Sequence, residues 1–352
     1  MMSPFYTLIR PLLHRIDPET AHEWAIAALA KHLVPTSNAV MDPHLKQTLF
    51  GLTFDNPVGL AAGFDKNGEA VTGLSRQGFG FVEVGTVTPK PQDGNPKPRI
   101  FRLNKDQAVI NRLGFNNEGA AAMHARLAEL PTQPMVLGVN IGRNKVCDDP
   151  LQDYHSLVLK MADVADYITV NISSPNTQGL RDMQQKRNLE ELLGTVNAAK
   201  NKLGRPLPTL LKIAPDIDDM MKEDIAEVAL TYKLDGLIVS NTTIKRPNTL
   251  QSKQHGEVGG LSGKPLMAHS TKVLGDIYRL TEGKIPLVGV GGIASAKDAY
   301  AKIQAGASLV QAYTAFIYQG FGLVGKINRG LVKLLERDGF GNISEAVGSR
   351  AP

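Results

Sequence analysis

The chain carries one cysteine, Cys147, in 352 residues, which excludes an internal disulfide framework and a zinc site built on paired thiolates. Aromatic residues make up 6% of it, with a single tryptophan, and they do not alternate with basic residues in the manner that stacks nucleic-acid bases. No apolar run approaches the roughly 20 residues that a spanning helix needs. Arg10, His14 and Arg15 break the first apolar stretch before any small-residue cleavage site, so no secretory leader is expected. Charge of one sign is also scarce: 39 Lys+Arg against 34 Asp+Glu leave +5. That excess suits anionic ligands or an anionic membrane surface and is too small and dispersed for a nucleic-acid binder. The 42% hydrophobic content argues against disorder. A soluble or peripheral chain facing the cytosol is expected.

The first forty residues differ from the rest. Phe5, Leu8, Ile9, Leu12 and Leu13 fall at helical spacing, and Pro11 is expected to bend or shorten that helix. Asp17-Pro18-Glu19 is a helix start, with an acid as cap and proline in the first turn. Ala21, Trp24, Ala25, Ala28 and Leu29 form a second stripe, which 34–38 ends. Two short amphipathic helices result. They either pack on the body of the protein or lie in a lipid interface with their arginines at the headgroups.

From residue 56 strands and helices alternate. Apolar runs at 57–62, 81–87, 136–141, 167–172, 209–213, 236–240, 286–290 and 308–313 are separated by helical patterns at 69–77, 118–130, 151–164, 189–203, 220–232, 265–281 and 296–305, with a last helix over 323–338. Continuous apolar strands, each followed by a helix, indicate buried parallel strands. Eight such units over about 300 residues fit a (β/α)8 TIM barrel, an α/β fold carrying an N-terminal amphipathic helical extension. The expected divisions are 1–40 for the extension, 41–340 for the barrel and 341–352 for a tail. Two connections are long. Residues 89–114 contain 99–103 and 108–113 around Asn104-Lys105-Asp106, a small hairpin, and 241–264 is rich in Gly, Thr and Lys.

The strand ends are unusually polar: Gly63 to Lys66, Thr86, Asn140, Asn171 with Ser173 and Ser174, Lys212, Ser240 to Thr242, Gly291-Gly292 and Tyr313-Thr314. Carboxylates and histidines are scarce there, which weighs against metal hydrolysis, paired-carboxylate glycosidase chemistry and a Ser-His-Asp triad. Amides plus a lysine suit the edge of a flat, acidic heterocycle, because asparagine both donates and accepts. The glycines at 289–293, after the seventh strand, and Tyr313-Thr314, after the eighth, occupy the place where barrels form a phosphate cup. Gly259 to Gly263 is expected to be a third glycine-rich turn. The stretch Gly320-Phe321-Gly322-Leu323-Val324-Gly325 fits G-x-G-x-x-G letter for letter. It follows the last strand and lacks the acidic ribose ligand, so Rossmann binding is rejected.

Asn56-Pro-Val-Gly-Leu-Ala-Ala-Gly-Phe-Asp-Lys-Asn-Gly68, Asn111-Arg-Leu-Gly-Phe-Asn116, Val139-Asn-Ile-Gly142, Asn171-Ile-Ser-Ser-Pro-Asn-Thr177 and Gly289-Val-Gly-Gly-Ile293 together resemble the dihydroorotate dehydrogenase family over nearly the whole chain. The helix pair and Ser174 resemble its quinone-dependent, membrane-associated class; cytosolic classes carry cysteine at that serine and lack the extension. The resemblance implies bound FMN. Ala62, Gly63 and Thr86 would lie beside the ring system, Asn140, Asn171 and Lys212 at its polar edge, and Ser240, Gly263, Gly292, Tyr313 and Thr314 around the ribityl phosphate. It implies that Lys66 pairs with the substrate carboxylate. Asn111, Asn171, Asn176, Asn241 and Thr242 would hydrogen-bond the pyrimidine, Arg112, Leu113 and Gly114 would bind the substrate beside them, and Phe115 would do so as part of the pocket wall. Ser174 would be the base, with Thr177 and a water as its relay, and Lys212 would stabilise charge on the reduced flavin.

The implied reaction is oxidation of (S)-dihydroorotate to orotate, in pyrimidine biosynthesis, with a membrane quinone as acceptor. His22 and Arg102 are candidate contacts for the quinone head. A monomer on the cytoplasmic face of a bacterial inner membrane is expected, and deletion of residues 1–40 is expected to spare the first half-reaction. Rival readings are another FMN barrel acting on a dihydropyrimidine, a non-catalytic phosphate-ligand binder, and a flavin-free Schiff-base aldolase using Lys212.

Overall fold

A computed structural model of the chain describes residues 4–37, 39–132 and 135–351; the side chain of Phe5, and Asn38, lie outside the described residues. The first helix, α1 (Pro4–Leu13), is not shortened at Pro11. Proline there forfeits one ladder bond, yet the His14 N–H still reaches the Arg10 carbonyl at 2.9 Å. In α2 (Pro18–Ala30), the Asp17 carboxylate caps the Glu19 and Thr20 amides, both at 3.0 Å. Of the expected stripe, Ala21 and Leu29 are buried with Ile26, whereas Trp24 is 56% exposed. No helix among the described residues is long and apolar enough to cross a membrane.

A short hairpin follows, β1 (Gln47–Leu49) and β2 (Leu52–Phe54), which the sequence pattern does not announce. Its Phe54 is fully buried, edge-on to Phe81 at 5.5 Å, and joins the ring of side chains that fills the barrel interior. Then come β3 (Val58–Leu60), α3 (Val71–Ser75) and β4 (Phe81–Val87). The hairpin insertion is β5 (Ile100–Leu103) and β6 (Ala108–Asn111), and it leads to α4 (Ala120–Ala128) and β7 (Val136–Ile141). The alternation continues through α5 (Pro150–Met161), β8 (Tyr167–Asn171), α6 (Lys186–Lys200), β9 (Thr209–Ile213), α7 (Asp219–Thr231) and β10 (Gly236–Val239). After β11 (Gly260–Gly263) come α8 (Met267–Leu280), β12 (Leu287–Val290), α9 (Ala296–Gln304), β13 (Ala307–Ala312), α10 (Thr314–Gln319) and α11 (Gly322–Asp338).

Eight strands, in the order β3-β4-β7-β8-β9-β10-β12-β13, close into a barrel, and every pairing in it is parallel. These are the eight apolar runs; each is buried on both faces, as parallel strands under helices must be. Glycine on a strand makes room for the interior layer. A Cβ at Gly59 would sit 2.3 Å from the Phe81 ring, and one at Gly138 would sit 2.1 Å from Tyr167.

Above the strand C-termini lies a second sheet, β11-β6-β5, entirely antiparallel. The expected glycine-rich turn at 259–263 is therefore a strand. Its glycines answer close approach, since a Cβ at Gly260 would collide with Thr242, and its one bulky residue, Leu261, is fully buried. The G-x-G-x-x-G match spans the joint between α10 and α11, where Gly320 has φ +71° and lies against the Tyr6 ring.

One buried ion pair holds α2 to this cap. Arg99 donates from Nη2 to Glu19 Oε1 at 2.6 Å and from Nε to Oε2 at 3.0 Å. Burial alone would raise the Glu19 carboxyl, but the hydrogen bonds and charge of Arg99, with help from Lys97, hold it below its ordinary value. Arg99→Ala strands a buried carboxylate, so unfolding in urea should show a loss of about 3–5 kcal/mol.

Candidate active site

A cavity of about 670 Å³ opens from the C-terminal ends of the barrel strands and runs outward between α1 and α2. Its floor is built on Glu83, from the middle of β4. This carboxylate is fully buried and accepts from Asn140 Nδ2 (2.8 Å), Tyr167 OH (3.1 Å), Thr169 Oγ1 (3.0 Å) and Gln311 Nε2 (3.0 Å). Four donors satisfy it without a direct ion pair among the described residues. Asn140 in turn accepts from Thr86 Oγ1 at 2.5 Å and Asn171 Nδ2 at 3.0 Å, which ties these side chains into one hydrogen-bonded network.

Lys212 stands over this floor at the end of β9. Burial lowers its ammonium below the ordinary lysine value, and the Glu83 charge opposes that shift. The Gln311 amide oxygen on the same floor is buried without a partner among the described residues.

The rim carries the amides. Asn176 Nδ2 donates to Asn111 Oδ1 at 3.3 Å, so the loop after β8 touches the end of β6. Asn241 Nδ2 donates to Ser173 Oγ at 2.9 Å, and the Ser173 hydroxyl donates to Asn171 Oδ1 at 2.7 Å. Asn171 thus spends its side chain on Thr86, Asn140 and Ser173 and acts as a strut as well as a wall. Among the described residues Ser174 Oγ accepts only the Asn176 amide, at 3.2 Å. The Thr177 hydroxyl is buried with no partner among the described residues. Lys66 faces the same space. Burial pushes its ammonium down to about 8, with Glu19 opposing and Arg99 adding to the shift.

Toward α1 and α2 the lining turns apolar. The His22 ring stands edge-on to Phe64 at 5.1 Å and near Tyr313 at 6.4 Å. Burial, and then the charge of Lys66, depress this imidazole to about 3, so it is neutral at working pH. Arg102 donates to the Ile16 carbonyl at 2.8 Å and lines the same cavity. Tyr6 OH donates to the Ile317 carbonyl at 2.6 Å and Arg10 to the Tyr318 carbonyl at 3.1 Å, which ties α1 to α10.

The cavity wall thus contains Ala62, Gly63, Lys66, Thr86, Asn111 and Leu113 to Phe115, together with Asn171, Ser174, Asn176, Lys212 and Ser240 to Thr242. It also contains Gly263, Gly292, Tyr313, Thr314, His22 and Arg102. Three expected residues are not part of it. Asn140 lies one hydrogen bond behind the wall. Thr177 is buried in the loop of Ser174. The Arg112 guanidinium turns away, bound to Glu257 Oε2 at 2.7 Å and stacked 4.5 Å above Phe101; expected as a substrate contact, its side chain instead braces the outer side. The sequence reading missed Glu83 and Gln311. A lone glutamate inside the apolar run 81–87 was the available signal, because a buried charge requires donors.

A family model described as Dihydroorotate dehydrogenase matches residues 44–335. The chain is 52% identical over 350 residues to the dihydroorotate dehydrogenase (quinone) of Rhodospirillum rubrum, covering 99% of this chain and 95% of that one. It is 54% identical over 344 residues to the protein of the same name from Parvibaculum lavamentivorans, covering 98% of each. The fold is similar to crystal structures of DHODH from Eimeria tenella at 44% identity. The complex with ferulenol superposes with a TM-score of 0.91 over 95% of both chains, and the ligand-free form with 0.92 over 96% of this chain and 100% of that one.

Proposed function

The chain belongs to the dihydroorotate dehydrogenase family, and on that premise we propose that its cavity binds dihydroorotate beside FMN at the barrel rim and a quinone between α1 and α2. The family oxidises dihydroorotate to orotate in pyrimidine biosynthesis, and quinone is the acceptor in the named relatives. The observation that carries the reading is the continuity of one cavity from the amide-lined rim, past Gly63 and Tyr313, to the apolar slot at His22.

The residues present fit a flavin mononucleotide. Lys212 is a buried cation without an ion pair among the described residues, and Gln311 Oε1 is an orphaned acceptor; a ring edge with both donors and acceptors answers both. At the other end Gly292, with φ +81°, lines the cavity together with Gly263, where a Cβ would come within 3.0 Å of the Thr314 methyl, and with Thr314, whose hydroxyl reaches Ser262 at 2.9 Å. Ala62, Gly63, Thr86 and Lys212 would face the ring, and Ser240, Gly263, Gly292, Tyr313 and Thr314 the ribityl phosphate. Bound there, FMN would supply the acceptor for the hydride from C6 of dihydroorotate and the electron source for the quinone.

The protein's own groups do the rest. The Lys66 ammonium pairs with the substrate carboxylate. The amides of Asn111, Asn176 and Asn241, with Thr242, hold the ring edge by matched donors and acceptors. Ser174 Oγ takes the proton from C5 as the C5–C6 double bond forms and releases its own hydroxyl proton to the Thr177 hydroxyl, which has no partner among the described residues and hands its proton on to water. Lys212 supplies positive charge where negative charge grows.

The sign of the pH dependence follows from Lys66. Its cationic form is present below about 8 and lost above it. For dihydroorotate, kcat/KM should therefore fall by about tenfold per pH unit on the alkaline side of that value. Lys66→Arg, whose guanidinium stays charged, should remove this limb; a limb that survives in the variant belongs to another group.

Residues 1–40 form the quinone-access and membrane segment, residues 41–340 the catalytic barrel and 341–352 its tail. Leu8 and Leu12 are exposed on α1, and Trp24 and Leu33 are exposed at the mouth of the cavity, a set suited to the headgroup boundary; this supports a peripheral place at a membrane, which we assign to the cytoplasmic face of a bacterial inner membrane. Neutral His22 and cationic Arg102 would contact the quinone head. An anaerobic visible spectrum tests the whole reading. Dihydroorotate should bleach a flavin band and a soluble quinone should restore it. A band indifferent to dihydroorotate points to another dihydropyrimidine, and freshly purified protein without flavin overturns the proposal.

A further inference from the structure

A lysine behind the Gly291–Gly292 turn has no part in the chemistry derived above. Lys302, on α9, is fully buried and is not part of the cavity wall. Its stem crosses β12 at Gly289, where a Cβ would come within 3.1 Å of the lysine Cδ. Its Nζ donates to Ser270 Oγ at 2.8 Å and to Thr271 Oγ1 at 3.1 Å, both on α8. Ser270 Oγ in turn lies 3.2 Å from the Gly291 carbonyl. The lysine head is therefore one hydroxyl away from the turn that the FMN reading assigns to the phosphate.

Burying an ammonium on two hydroxyls alone satisfies two of its protons and none of its charge. Burial brings Lys302 down to about 7, opposed by Asp298 one turn earlier on the same helix. The other charges nearby are committed elsewhere. On α8, Asp276 is held by Lys222 at 2.6 Å and Lys272 at 2.8 Å. On α11, Asp338 is held by Arg337 and Tyr300. β13 carries no titratable side chain. Lys264 and Arg350 line a separate open pocket on the outer side.

We propose that Lys302 is the buried counter-cation of the cofactor's phosphate: a positioning residue that acts through Ser270 and the Gly291–Gly292 turn, so that loading a phosphate dianion and protonating Lys302 favour each other. The proposal rests on the FMN reading above and predicts discrimination between FMN and riboflavin, which differ by the phosphate alone.

The test uses the full chain loaded with FMN or riboflavin and reads dissociation on dilution from recovered flavin fluorescence. Above pH 7 the second phosphate ionisation, near 6, is almost complete, so remaining pH dependence reports the protein. The wild-type preference for FMN over riboflavin should fall at least about tenfold between pH 7 and 9 as Lys302 loses its proton. In Lys302→Met the preference should be about tenfold weaker at pH 7 and flat with pH, with riboflavin held as in the wild type. A flat wild-type profile overturns the proposal, and so does a variant that keeps the preference or loses both flavins equally. Should Lys302→Met not fold, the wild-type profile decides by itself. A wild type with no preference for FMN at any pH overturns the phosphate assignment instead.

Discussion

Ser174→Ala should slow reduction of the bound flavin by dihydroorotate by about 10²–10⁴-fold, the range for a lost general base, while the flavin band stays unchanged. The geometry separates the two effects. Among the described residues Ser174 Oγ makes one hydrogen bond, from the Asn176 amide, and losing such a bond is worth about 1 kcal/mol, less than tenfold. The loop is fixed by other groups. Arg181 donates to the Ser173 carbonyl and to the Thr242 carbonyl, both at 3.0 Å, and is itself held by Asp216 at 2.9 Å. Ser173, not Ser174, carries the bonds to Asn171 and Asn241. Alanine at 174 therefore removes the hydroxyl and leaves its frame. Anaerobic stopped-flow reduction, followed in the flavin band, gives the rate. Ser174→Cys, with a more acidic thiol, should recover part of the rate and shift its rise to lower pH. Reduction within tenfold of wild type in Ser174→Ala would remove Ser174 from the base role.

The barrel was legible because each of its strands is an apolar run with a helix behind it, and burial on both faces leaves no other pattern. The amides and lysines of the rim stood out because polar residues at strand ends concentrate on one face of a barrel. Where side chains do not announce themselves, legibility stops. The strand at 260–263 looks like a turn because three of its neighbouring positions are glycines kept small by Thr242, Asn111 and Gln107. The hairpin at 47–54 contributes Phe54 to the barrel interior, a contact that no local periodicity encodes. Glu83 disappears into an apolar strand because its four donors come from β7, β8 and β13. Arg112 sits between Asn111 and Leu113, which line the cavity, yet just past the end of β6 its side chain is drawn outward to Glu257.

Removing residues 1–15 should abolish binding to anionic lipid vesicles and cut turnover with a long-chain quinone by at least about tenfold, with dihydroorotate-driven flavin reduction preserved. The cut belongs there rather than at residue 40, because the two N-terminal helices are held differently. In α2, Ile26 and Leu29 are buried in the main core, and the helix approaches α3 so closely that a Cβ at Gly73 would overlap the Leu29 carbonyl. Glu19 is locked to Arg99 besides. Deleting α2 would open the core, and the resulting loss of activity would say nothing about quinone. α1 is anchored more lightly, by Tyr6, Arg10 and His14 to carbonyls of α10. Its Leu8 and Leu12 are 79% and 63% exposed while Ile9 and Leu13 line the cavity, so one helix offers a face to lipid and a face to the slot. Each fully buried leucine is worth about 1.5–3 kcal/mol, and two of them beside Trp24 suffice for reversible attachment of an interfacial helix. A short, water-soluble quinone needs no lipid and should lose less than the long-chain one. Equal loss with both, or loss of flavin reduction, would make α1 a structural cover; vesicle binding that survives the cut would move the membrane contact to α2 and Leu33.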